Sequence, residues 1–166
     1  MKKWWLLGTA VCLSIGAQAS RDDPERTVIT RQLEVVKGSS YMVAAANPHA
    51  VAAGQAILAE GGSAIDAAVA VQTTLGLVEP QSSGIGGGTF IMYWSAKEQK
   101  LYTLDARERA PAAATQDQFY KDGTAMPWRD AIVGGMSVGV PGVVKGLEVA
   151  HQRFGKLPWE RLFAHP

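Results

Sequence analysis

The stretch Glu79–Tyr93, EPQSSGIGGGTFIMY, limits this chain more than any other. Four glycines fall within Gly84–Gly88, behind two serines and directly ahead of an apolar run of period two. The preceding segment, AIDAAVAVQTTLGLV, has the composition of a buried helix, so the order is helix, glycines, strand. A dinucleotide-binding turn needs the reverse order, with phosphate meeting a helix N-terminus. A P-loop is excluded too, because no Gly-Lys-Ser/Thr follows. A serine nucleophile's elbow requires G-x-S-x-G between strand and helix, whereas Ser82 and Ser83 stand in Gln-Ser-Ser-Gly. What remains from the residues is close backbone packing, which glycine permits.

The flanking sequence supplies the elements that the loop joins. Asn47 followed by Pro48 is the preferred order for a helix start, and Gly61-Gly62 stops that helix near Glu60. Ser63 and Asp66 have capping-box spacing ahead of the second helix. Tyr41–Ala46 (YMVAAA) reads as a short buried strand. Thr89–Ser95 and Leu101–Arg107 read as strands of a hairpin joined by AKEQK. Residues 110–129 form a connection whose middle, TQDQFYKDG, is expected to be one short helix. Pro141 opens a helix through PGVVKGLEVAHQRFG, and LPWERLF begins a last short one. Helices and hairpin alike need covering layers, and no polar segment closes the sequence, so a piece of a longer protein is expected.

The amino-terminal residues, MKKWWLLGTAVCLSIGAQA, combine two lysines, an apolar run and a small-x-small site at Ala17–Ala19. That is the pattern of a secretory signal peptide over residues 1–19, giving a periplasmic or secreted product without a stable membrane anchor. A polar lead-in is expected over 20–40. Cleavage removes two of the 16 basic residues, leaving 14 against 15 acidic ones, and removes Cys12, the single cysteine. No disulfide or thiol chemistry is then expected, and no basic run favours nucleic acid. His49, His151 and His165 show no catalytic or metal-ligand spacing, so neither metal nor cofactor is expected.

In LDARERAP, Asp105 and Arg107 are two apart on the second strand and share a face. An arginine on a largely buried strand needs an anion. By pattern alone the internal partner, Asp105 or Glu108, is favoured over a substrate carboxylate. Arg109 joins that face only if the strand continues, against which Pro111 argues.

Taken in order, GGSAIDAAVAVQTTLGLVEPQSSGIGGGTFIMYW, LDARERAP and SVGVPGVVKGLEVAHQRFGKLPWERLF resemble the gamma-glutamyltranspeptidase (glutathione hydrolase) family. The resemblance covers nearly all of 41–166 and matches the N-terminal portion of the family's large subunit. One departure is NPHAVAAGQ, where many members carry His-Pro and this chain has Asn47-Pro48. The resemblance implies an α+β fold, the αββα sandwich of the N-terminal-nucleophile hydrolases, of which only the first part is present. It implies a self-cleaving precursor whose freed threonine attacks γ-glutamyl amides, glutathione among them. The acyl-enzyme is then resolved by water, amino acids or peptides. Arg107 matches the arginine that binds the γ-glutamyl α-carboxylate, reversing the pattern-based preference, with Glu108 as its supporting neighbour. The nucleophilic threonine, the oxyanion glycines and the partner small subunit match no residue of this chain. Thr73 and Thr74 cannot substitute, since they lie within a helix. The fragment alone is therefore expected to be inactive. Other readings are a related β-lactam acylase or poly-γ-glutamate transferase, or a non-catalytic remnant that only binds.

Overall fold

A computed structural model describes residues 35–164. The chain divides into two units, Met1–Thr30 and Arg31–Pro166, and the described residues belong to the second. The signal peptide, Cys12, most of the lead-in and His165 lie outside the described residues. Residues 35–40 carry no helix or strand and are exposed.

The first helix, α1 (Pro48–Ala59), begins as its residues dictate. Asn47 is extended, and its side chain accepts the His49 N–H at 3.0 Å. Gly61, at φ +90°, turns the chain out of the helix. Buried Ala50, Ala53, Gly54 and Ile57 follow the i, i+3, i+4, i+7 stripe of one helix face. Helix α2 (Ala64–Val78) lies against that stripe. At Gly54 an added Cβ would stand 2.7 Å from Val71 Cγ2, so the glycine sets how closely the two helices approach.

Strands β1 (Thr89–Ser95) and β2 (Lys100–Ala106) pair antiparallel in the register Thr89↔Ala106 to Ser95↔Lys100. The Ser95 hydroxyl accepts the Glu98 N–H, and Gln99 takes φ +52°, closing the four-residue turn. Helix α4 (Val143–Phe154) covers one face of this hairpin with Val143, Gly146, Leu147 and Ala150. Phe154 ends it by packing on Tyr93 and Tyr102, with ring centroids 4.3 and 5.0 Å away. A 3₁₀ turn, Trp159–Phe163, inserts Leu162 into a core shared with Ile57, Val69 and Val143. The result is one helical layer on one sheet. The other face of the sheet carries Phe90, Met92, Trp94 and Leu101, all largely exposed.

Two expected elements are absent. Tyr41–Ala46 is not a strand; it runs irregularly beside α1 and α2, with the Val43 side chain against Gly54. A strand exists only through a ladder partner, and among the described residues none is offered there. The expected helix in TQDQFYKDG is instead a small hairpin, β3 (Tyr120–Lys121) with β4 (Thr124–Ala125). Asp122 and Gly123 take φ +52° and +76°, the two left-handed positions of a hairpin turn for which Asp-Gly is a strong signal. A five-residue helix, α3 (Trp128–Ile132), and a 3₁₀ turn, Gly135–Ser137, complete the connection.

Asp66 ties the helical layer together. It is fully buried in the first turn of α2 and forms the expected capping box with Ser63. The same Oδ2 that accepts the Ser63 N–H at 2.7 Å also accepts those of Lys156 at 2.9 Å and Leu157 at 3.2 Å. Its Oδ1 lies 3.5 Å from His151 Nε2, which is 2.8 Å from the Leu157 carbonyl.

The glycine loop, the end of β2 and the start of α4 meet in a backbone crossing. An added Cβ on Gly88 would stand 2.6 Å from both Arg107 Cα and Glu108 N, and would overlap the Glu108 carboxylate. One on Gly142 would overlap the Ala106 carbonyl. Helix α4 lacks a capping side chain; its Gly142 and Val143 N–H groups donate to the Gly87 carbonyl at 2.9 and 3.1 Å. The other glycines of the loop, Gly84, Gly86 and Gly87, face open space, so close packing is a property of Gly88 within the motif.

Two outcomes follow for the full-length protein, read as shifts in urea midpoint at constant slope. Asp66→Ala takes the acceptor from three N–H groups, one buried and two part-buried, and costs about 3–5 kcal/mol, with Asp66→Asn costing less because its amide oxygen still accepts. Gly88→Ala costs at least about 2 kcal/mol, because backbone must move, while Gly86→Ala stays within about 0.5 kcal/mol.

Candidate functional site

The crossing sets where Arg107 stands. It is the first residue after β2, and its N–H donates to Asp105 Oδ1 at 3.0 Å, an aspartate turn that ends the strand. Arg107 is therefore not on a buried strand, as its spacing suggested. Its side chain is 60% exposed at the open end of the sheet. Asp105 holds only the backbone, so it is not the guanidinium's partner. That partner is Glu108, at 3.3 Å between Nη2 and Oε1. The guanidinium also lies over the Phe90 ring, 5.9 Å from its centroid. Phe90 sits opposite Asp105 in the β1–β2 register and carries the contact out onto the uncovered face.

Glu108 is fixed from behind. Gly88 and Gly139 are both close enough that a Cβ would contact it, at 3.0 Å from Glu108 Cβ in the case of Gly139. Arg109 and Val140 then exchange backbone hydrogen bonds, 3.1 and 2.8 Å, which fasten the segment to the approach to α4. An exposed pair at 3.3 Å is a weak one, worth about 0–1 kcal/mol, and it occupies only one edge of a five-donor group. The arrangement can thus present a pre-positioned guanidinium fork to an incoming carboxylate.

The remaining candidates separate clearly from this site. Thr73 and Thr74 lie inside α2, their hydroxyls bonded back to Val69 and Ala70 carbonyls. The Ser83 hydroxyl accepts a hydrogen bond from Gln72, beside a second bond from Gln72 to the Gly84 carbonyl, and these brace the glycine loop. His49 is in the first turn of α1, and His151 belongs to the Asp66 cluster. Among the described residues no three His, Cys, Asp or Glu side chains converge as a metal-ligand set. Tyr102, inside the hairpin, has its pKa raised, chiefly by its hydrogen bond to Glu98. The residues that sequence reasoning missed are Phe90, Gly139 and Gly142. Their only sequence signal was the phase of the strand and the glycines around Pro141.

Comparison with known proteins gives this geometry its context. The gamma-glutamyltranspeptidase family profile matches residues 50–165. The glutathione hydrolase proenzyme of Bacillus subtilis is 39% identical over 98% of this chain, which spans 29% of that relative. The gamma-glutamyltranspeptidase of Pseudomonas nitroreducens, solved in complex with L-DON, is 41% identical with a TM-score of 0.70. That alignment covers 77% of this chain and 37% of that structure. The Helicobacter pylori gamma-glutamyltranspeptidase gives a TM-score of 0.73 at 35% identity, over 78% of this chain and 37% of its own. The helical layer on its sheet is thus part of the N-terminal-nucleophile hydrolase fold. From residue 50 to residue 165, this chain belongs to the gamma-glutamyltranspeptidase family.

Proposed function

We propose that this chain supplies the γ-glutamyl-carboxylate-binding part of a gamma-glutamyltransferase/glutathione hydrolase. The observation that carries the reading is Arg107: an exposed guanidinium at a strand end, weakly paired to Glu108 and seated by a glycine crossing, in a chain of this family. A planar guanidinium grips a carboxylate in two places, fixing both position and orientation. Holding the α-carboxylate of a γ-glutamyl compound would present its γ-carbonyl at a constant distance to the nucleophile. The nucleophile in this reading is a threonine freed by self-cleavage, in the part of the protein that this chain does not span. Its hydroxyl adds to the γ-carbonyl, the amine leaves, and the ester formed is opened by water or by an amino-acid or peptide acceptor. Glu108 acts by holding the guanidinium in place. The signal-peptide pattern of residues 1–19 supports action in the periplasm or outside the cell.

In the full-length protein, Arg107→Gln raises KM for γ-glutamyl-p-nitroanilide by about 10- to 100-fold, the equivalent of a charge-assisted hydrogen bond. An unchanged KM would remove Arg107 from the site. Residues 20–166 alone give no turnover of the anilide, and their exposed sheet face drives association, read as concentration-dependent light scattering.

A further inference from the structure

Beside Arg107, a groove of ≈ 280 Å³ runs between the end of β2 and the first turns of α4. Its charged lining is Asp105, Arg107, Arg109 and Lys145, a cationic excess in a chain of nearly balanced charge. These charges are not equally engaged. Arg107 is paired with Glu108, and Lys145 with Glu148 at 2.7 Å. Asp105 accepts the Arg107 N–H. The Arg109 guanidinium alone has no carboxylate partner among the described residues, although its backbone is pinned by two hydrogen bonds to Val140. Exposure alternates over Arg107, Glu108 and Arg109, which places both arginines on one side of the segment.

We infer that this groove is a second carboxylate site, centred on Arg109 with Lys145 across from it. It takes the C-terminal carboxylate of a γ-glutamyl peptide whose α-carboxylate is held by Arg107. The inference rests on the assignment of Arg107 made above. Reach supports it: two residues along an extended segment span about 7 Å. A γ-glutamyl tripeptide, ten bonds between its two carboxylate carbons, spans about 12 Å when extended, a difference that two splayed arginine side chains close. The neighbouring charges agree with it as well. Glu108 is turned toward Arg107 and Gly88, away from Arg109, so the nearest carboxylate does not neutralise the groove.

The test compares glutathione, which has the second carboxylate, with γ-glutamyl-p-nitroanilide, which lacks it, on the full-length protein. Arg109→Gln lowers the ratio of kcat/KM for glutathione to that for the anilide by about fivefold, the value of one partly exposed ion pair. Arg109→Lys retains part of the ratio, and Lys145→Gln lowers it in the same direction. Arg107→Gln weakens both substrates together and leaves the ratio near its starting value. An unaltered ratio in Arg109→Gln overturns the second site, as does an equal loss on both substrates. Should Arg109→Gln fail to fold, an unaltered ratio in Lys145→Gln overturns it instead. Failure of the first assignment is read separately, from Arg107→Gln leaving both substrates unaffected.

Discussion

The helical layer hangs on one carboxylate oxygen. Asp66 Oδ2, itself fully buried, gathers N–H groups from Ser63 beside it and from Lys156 and Leu157, 90 and 91 positions further along the chain. A buried carboxylate is tolerable only when such donors replace its water, and here they also fix where the chain leaves α4. Gly155 and Leu157 must then lie where they do, which brings Trp159 and Leu162 onto α1 and α2. Arg161 follows, with both Nε and Nη2 at 2.7 Å from the Glu60 carboxylate. The two-edged pair clamps the C-cap of α1 to the last turn of the described chain. The tertiary arrangement of three helices is thus specified by polar contacts, while small apolar residues set their separation.

The same economy seats the candidate arginine. Under Arg107 three backbone segments meet at Gly88, Ala106 and Gly142, with no space for a Cβ on either glycine. Packing of backbone on backbone leaves few alternative positions, because interiors at crystal-like density deform little. The Gly87 carbonyl serves at once as part of the loop and as the cap of α4. Moving the helix therefore moves the loop, and the loop borders Arg107. A motif that could be taken for a ligand cradle thus acts as a joint.

How much of this could be read from the sequence depended on how local its cause was. Asn47-Pro48 and the Ser63–Asp66 box are decided within a few residues and stand where their spacing put them, and the hairpin turn expected over AKEQK is one residue shorter, with Lys100 already in the strand. The long-range half of Asp66's role left no local trace, since Lys156 and Leu157 contribute backbone N–H groups that any sequence would offer. Tyr41–Ala46 failed as a strand because strand formation depends on a partner, which composition does not supply. Asp122-Gly123 was legible and outweighed: a polar run resembled a helix, while the turn dipeptide already encoded the hairpin. At Arg107 the setting was misjudged, because the aspartate turn at Asp105 ends the strand one residue earlier.

The exposed sheet face bears on the strength of that site. Phe90, Met92, Trp94 and Leu101 alternate with the residues packed under α4, so both faces of the hairpin are apolar. A sheet apolar on both sides is stable only between two layers, consistent with a chain that spans 37% of the solved structures it matches. Arg107 contacts Phe90, hence it stands at the rim of the surface such a layer would cover. In water an exposed guanidinium–carboxylate pair is worth little; beside a covered apolar face its charge is screened less and the pair strengthens. Affinity for a γ-glutamyl carboxylate would then depend on assembly of the sandwich as well as on Arg107. On the function proposed for Arg107, coupling the site to the second layer in this way would leave the lone layer a weak carboxylate binder until that layer is in place.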